Sequence, residues 1–289
     1  MRPHVPATPA VPRGASGSGA PAVGALLDAY AARFKVAIGV QFQYRASLVI
    51  WLTWTIILPV IYLVVWSTVA RSSGGQVGTY DPHDFAAYFL VTMVIDHLTF
   101  TWLMFEFEYR IRMGHLSPQL LKPLHPIHGD IAENLTYKAL TLIVLAPAVA
   151  LLAVAFRPAL RPEPWAVAAF VPALALAFLL RFLSGWTLAL AAFWTTRVFA
   201  INDMYIVTMF FLSGQMVPLS LLPGPLLALA TALPFRWMVG FPAELLLGRV
   251  TPDGALAGLA AQVAWLALHA AAAAVVWRAG LKRYAAVGA

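Results

Sequence analysis

The chain has 289 residues, of which 61% are hydrophobic and 11% charged, with a net charge of +7 and a mean hydropathy of +0.79. Soluble domains run at about 45–50% apolar and about 25% charged, so this apolar excess does not fit one water-bathed core. The composition excludes a soluble enzyme, a disordered chain and a nucleic-acid-binding module, and it predicts an all-α membrane protein.

Residues 1–24 are rich in Pro, Gly, Ala and Ser and lack the apolar run of a secretory signal. They predict a disordered cytoplasmic tail that is not cleaved. Over 25–45, Leu27, Ala31, Phe34 and Ile38 share one helical stripe between polar flanks that include Asp28, Arg33, Lys35 and Arg45. That pattern predicts a helix lying in the membrane interface, or else a cytoplasmic extension of the first span.

A span needs about 20 mostly apolar residues. Residues 46–289 supply six such stretches: Ser47–Ala70, Phe85–Phe105, Leu135–Phe156, Trp165–Thr196, Met204 to about Val217, and Gly254–Trp277. No internal repeat is visible. Of the nineteen Lys and Arg, thirteen, Lys138 among them, fall on the side of the termini, five on the other, and Arg181 lies within a span. The asymmetry predicts that both termini are cytoplasmic. It also assigns the basic excess to anionic lipid rather than to nucleic acid.

Three segments carry chemistry. After span two comes EFEYRIRMGHLSPQLLKPLHPIHGD. Glu106 and Glu108 each precede an arginine, Arg110 and Arg112, by four residues, so span two is expected to run on as a solvated helix. Gly114 can close it in the left-handed region. Ser117 and Pro118 predict the cap and first position of a new short helix that ends at Lys122-Pro123. Asp130 and Glu133 resemble a capping box opening span three. Leu120, Leu121 and Leu124 are then available either to a partner surface or to the chain's own bundle. His115, His125 and His128 share the loop, but prolines separate them and no ligand spacing is regular, so no metal site is expected.

Between spans five and six, Ser213, Gly214, Pro218, Pro223, Pro234, Gly240 and Pro242 interrupt an apolar run. Irregular backbone at membrane depth is tolerated only where protein or a water-filled cavity surrounds it. The segment predicts either a re-entrant hairpin at the outer mouth of a pathway or an interfacial cap without a transport role. The third feature is a pair of intramembrane charges. At 1.5 Å per residue from the outer face, Asp96 lies about 16 Å deep and Arg181 about 22 Å deep. The two are expected to pair, with His97 nearby, as a structural pair or as a substrate or proton site.

Taken together, RMGHLSPQLLKPLHP after span two and FLSGQMVPLSLLP…LPFRWMVGFPAELLLG before span six resemble the ABC-2 type export permeases, in a bacterial branch of that family, over about residues 26–284. The resemblance implies the membrane half of an ATP-binding cassette exporter in the bacterial inner membrane. It implies coupling of Leu116, Leu120, Leu121, Lys122, Pro123 and Leu124 to a cytoplasmic ATP-binding subunit, which would carry the ATP and Mg. It implies a second permease chain, identical or different, and an outer gate over Ser213–Gly248 containing Ser213, Gly214, Pro218, Pro223, Pro234 and Pro242. A hydrophobic drug or lipid-like substrate suits walls with so few charges. The alternatives are a secondary transporter or channel, which would show repeated halves and paired broken helices, and a membrane-embedded enzyme. No GxxxxGK[ST], GxSxG or HExxH string occurs, and with no cysteine there is no thiol nucleophile.

Overall fold

The computed structural model describes residues 23–43, 45–195 and 197–284. The predicted tail lies outside the described residues as far as residue 22. The chain order is α1 (Val23–Gln43), α2 (Arg45–Ser72), α3 (Pro82–Thr99), α4 (Met104–Arg112), α5 (Ser117–Leu120), α6 (Ile127–Phe156) and α7 (Pro164–Ala189). Then follow α8 (Val198–Leu212), α9 (Gly224–Ala232), α10 (Phe235–Met238), α11 (Gly240–Leu246) and α12 (Pro252–Leu281). No strand occurs among the described residues.

Among the described residues, four helices are long and apolar enough to cross a membrane: Thr53–Ser72 within α2, then α6, α7 with its 3₁₀ extension to Phe193, and α12. The two other stretches read from the sequence as spans form shorter helices, α3 with 18 residues and α8 with 15. The centre of the bundle is α7, which packs against α12, α3, α11, α10 and α4. By contrast α2 turns Trp54, Ile57, Ile61 and Val65 outward, as a helix bathed in lipid does.

Two aromatic clusters hold the ends of the bundle. At one end α3 stacks Phe85 between Tyr80 and Trp66, with ring centroids at 5.2 and 5.6 Å. This end opens with a true capping box, in which Asp81 accepts from the backbone N–H groups of His83 and Asp84 while Asp84 accepts from that of Asp81. At the other end Phe107, Trp186, Phe193 and Trp277 pack edge to face around Leu116.

The structure corrects the expectation that span two continues unbroken into the solvated helix. The helix stops at Thr99, residues 100–103 are non-helical, and α4 begins at Met104. No proline or glycine causes this break. Side chains from other helices satisfy the backbone there, as described below. Span five also differs, since α8 begins six residues before Met204 and ends at Leu212 rather than near Val217. Gly214, at φ +92°, turns the chain immediately afterwards.

The helix predicted over 25–45 is α1, which lies along α6. Tyr30 Oη meets His128 Nδ1 at 3.1 Å, and the Arg33 guanidinium occupies the space where a Cβ on Gly129 would stand. Of the predicted stripe, Ala31 and Phe34 are exposed and Ile38 is half-buried.

Candidate functional site

The polar site inside the bundle is built around the broken end of α3. Thr99 returns its hydroxyl to the Ile95 carbonyl at 2.8 Å, and the Phe100 N–H closes the last turn on the Asp96 carbonyl at 2.7 Å. The ladder then lapses, and the open backbone needs donors from elsewhere. Arg181 of α7 supplies one set. Its Nη1 donates to Asp96 Oδ1 at 2.6 Å, to Thr99 Oγ1 at 2.9 Å and to the Asp96 carbonyl at 3.4 Å. Lys138 of α6 supplies another, donating from Nζ to the Phe100 carbonyl. Both cations lie against aromatic faces, Arg181 over Phe100 at 5.3 Å and Lys138 over Phe178 at 5.4 Å. His97 turns away from the pair and meets Thr141 Oγ1 at 2.9 Å.

Lys138 therefore does not behave as a flanking charge: it is 5% exposed and belongs to the interior. Its interior role was missed because a lone lysine near the start of an apolar run reads as a membrane-edge residue.

The turn after α8 reaches the same site. Gln215 Nε2 donates to Asp96 Oδ1. The neighbouring Gly214 carbonyl accepts from Tyr88 Oη at 2.6 Å, and the Met216 carbonyl accepts from Trp66 Nε1 at 3.1 Å. A Cβ on Gly214 would lie 2.6 Å from that Tyr88 oxygen, and one on Gly240 would lie 2.8 Å from the Ser213 carbonyl. Only glycine fits either position. Ser213 is fully buried, and its hydroxyl has no partner among the described residues.

Each of the prolines begins or flanks a new turn. Pro218 leads a 3₁₀ turn over Leu219–Leu221, Pro223 precedes α9, and Pro234 precedes α10. Pro242 falls in the first turn of α11, where a helix needs no N–H. Pro218, Pro234 and Pro242 are buried, while Pro223 is exposed. Beyond them Arg236 pairs with Glu244 at 2.8 Å, and Arg249 reaches Asp84 at 3.7 Å while covering the Tyr80 ring.

A cavity of about 260 Å³ opens beside the Asp96–Arg181 pair. Its walls come from α2, α3, the 100–103 break, the first residue of α4, α7, α8 and Gln215.

The second region is the turn between α4 and α6. Gly114, at φ +73°, closes α4, and α5 is a single turn. Leu116 is fully buried in the aromatic cluster, so it anchors the turn and is not part of an exposed face. Leu121 is 88% exposed, Lys122 and Pro123 are exposed, and Leu120 and Leu124 are half-buried.

Two local expectations are corrected here. Ser117 makes no cap, and its hydroxyl instead meets Tyr284 Oη at 2.9 Å. Asp130 and Glu133 form no capping box, because α6 already starts at Ile127 and its first backbone N–H donates to His125 Nδ1. Asp130 is 2% exposed and accepts from Arg110 on one oxygen and from Trp186 Nε1, at 3.1 Å, on the other. Asp130 thus ties α4, α6 and α7 together, and Arg110 also holds Glu106, one turn back on α4, at 3.3 Å. Burial, followed by the nearby Glu133 carboxylate, pushes Glu106 up to about 7. The three histidines part company: His115 packs on Tyr109, His125 on Trp277 and His128 on Tyr30. Burial lowers the His125 pKa.

Long apolar helices around a satisfied polar break define a multi-pass helical membrane protein. A family model described as ABC-2 family transporter protein matches residues 48–288. The chain belongs to this family and is a transport membrane subunit rather than an enzyme. Comparison with curated proteins and with solved structures gave no match.

Proposed function

We propose that the chain is the permease subunit of an ATP-driven exporter in the bacterial inner membrane, with both termini cytoplasmic. Two permeases, identical or different, face each other. Two ATP-binding subunits, which carry the ATP and Mg, dock beneath them. The observation that carries this reading is the exposed Leu121–Lys122–Pro123 turn mounted on a rigid base. Leu116 is sealed in the aromatic cluster below it, and Arg110, Asp130 and Trp186 tie α4 to α6 and α7. An exposed leucine on such a mount suits a docking partner.

Closure of the ATPases on ATP would draw the two turns together. A rigid-body shift of α4 and α7 would then repack the bundle and release the segment from Ser213 to Gly248 as an outer gate. The cargo is a hydrophobic, drug-like or lipid-like molecule, since among the described residues only Asp96 and Arg181 put charge on the cavity wall.

The test is co-purification. The chain is expected to bring down a soluble subunit that hydrolyses ATP, and Leu121→Glu is expected to release it without lowering the melting temperature of the permease. Solute movement by the purified chain alone, driven by an ion gradient, would refute the reading in favour of a secondary transporter.

A further inference from the structure

The cavity beside Asp96 has a polar end whose hydrogen-bonding capacity is not used up. Asp96 accepts both of its hydrogen bonds, from Arg181 and Gln215, on Oδ1. Its Oδ2 accepts none among the described residues, although the side chain is 34% exposed toward the cavity. A carboxylate can only accept, so Gln215 must turn its NH₂ toward Asp96, which leaves its Oε1 facing elsewhere. Asn202 of α8 is only 8% exposed and lines the same cavity, yet its amide has no partner among the described residues. The Thr101 hydroxyl, in the break after α3, lines it too and likewise has none.

A buried amide without a partner costs free energy unless something meets it. In a cavity with room to spare, that something is water or a ligand.

The kind of ligand follows from the inventory. Two acceptors, Asp96 Oδ2 and Gln215 Oε1, stand beside two groups that both donate and accept, Asn202 and Thr101. The charged side chains on the wall are Asp96 and Arg181, and they cancel. An ammonium head would satisfy the acceptors but leave the donors of Asn202 and Thr101 unmatched and would upset the charge balance. A carboxylate or phosphate head would set acceptor against acceptor at Asp96. A hydroxyl both donates and accepts and carries no charge.

Most of the remaining wall is apolar or aromatic, apart from the hydroxyls of Thr55, Thr92, Tyr62 and Tyr205, with Leu58, Pro59, Tyr62 and Phe210 leading to Trp54, which is 58% exposed on the outer face of α2. A volume near 260 Å³ lies just under the usual range of about 300–1,000 Å³ for small-molecule pockets, so it suits a head group better than a whole lipid.

We propose that this cavity is a binding site for the hydroxyl-bearing head of a neutral amphiphile. Asp96, Gln215, Asn202 and Thr101 read the head, and the apolar tail leaves past Trp54. This deepens the transport reading above and rests on it for the claim that the ligand is cargo.

The experiment uses the full chain in lipid nanodiscs with radiolabelled 1-oleoylglycerol as the probe. Methyl oleate, oleylamine and oleate serve as competitors of matched chain length. Saturable binding of one 1-oleoylglycerol per chain is expected, with methyl oleate competing about tenfold less well because it cannot donate to the acceptors. Asn202→Leu and Thr101→Val, both close in volume to the native residues, should each weaken 1-oleoylglycerol about tenfold and leave methyl oleate unchanged.

Equal competition by methyl oleate, tighter binding of oleylamine or oleate, or unchanged binding in a folded Thr101→Val variant would each overturn the proposal. Loss of head-group selectivity while the ATPase subunit still co-purifies and Leu121→Glu still releases it would sink this inference alone. Selectivity that persists without any ATPase association would sink the transport reading and leave the binding site standing.

Discussion

Arg181→Leu is the most informative single perturbation of the bundle. Arg181 is 6% exposed and its Nη1 serves three acceptors, Asp96 Oδ1, Thr99 Oγ1 and the Asp96 carbonyl. Removing one member of a buried ion pair costs about 3–5 kcal/mol, because the other is left without compensation. The Asp96 side chain is 34% exposed and can draw water from the adjoining cavity, which places the expected loss at the lower end, about 3 kcal/mol. For a chain of this size that corresponds to a fall of about 6 °C in Tm, at about 2 °C per kcal/mol.

Asp96→Asn keeps an acceptor for Nη1 but strands the buried Arg181 charge, so it should also cost about 3 kcal/mol. The Asp96→Leu, Arg181→Leu double variant should lose clearly less than the sum of its two single changes, since neither charge is then stranded. Thermal melts of the four variants in one detergent give the comparison. If Arg181→Leu lowers Tm by less than about 2 °C, or if the double variant is additive, the pair does not hold the α3 break together.

Two further predictions concern the opposite ends of α4 and α12. The Glu106 pKa stands at about 7 against 4.5 for the free side chain, so the folded chain holds this proton more tightly than the unfolded one. The resulting stability is fully present below pH 4.5 and is lost as the pH rises through 7. Glu106→Gln should therefore gain in Tm relative to the native chain across that interval, and parallel melting curves for the two at every pH would refute it. At α12, a Cβ on Gly280 would lie 2.1 Å from the Phe193 ring, whereas one on Gly224 would meet nothing within 4 Å. Gly280→Ala should cost about 1–3 kcal/mol by overpacking, and a melting temperature equal to that of Gly224→Ala would refute it.

Hydropathy alone locates the long helices, because lipid-facing residues need no partner and leave their mark in composition. Counting from the predicted membrane entries also puts Asp96 and Arg181 within reach of each other. The break over 100–103 was not legible, since Phe100-Thr101-Trp102-Leu103 contains none of the usual breakers. It exists because Lys138 and Arg181, far away in sequence, supply donors that a single strand of text does not connect. The same limit explains the loop. Ser117-Pro118 and Asp130-x-x-Glu133 have the form of caps, but Tyr284, Arg110 and Trp186 claim those side chains first. The Asp81–Asp84 capping box was legible and was passed over because the apolar count began at Phe85. Asn202 stands out only once the cavity around it is seen.

The four non-helical residues between α3 and α4 matter for any push delivered from below. An unbroken rod would have to move along its whole length or shear a row of backbone bonds. Here the lower piece can pivot about a stretch without helical backbone bonds while the upper piece stays seated, and that pivot lies next to the cavity. Whatever tilts α4 therefore also reshapes the floor of that chamber, which residues 100–103 and Met104 help to line.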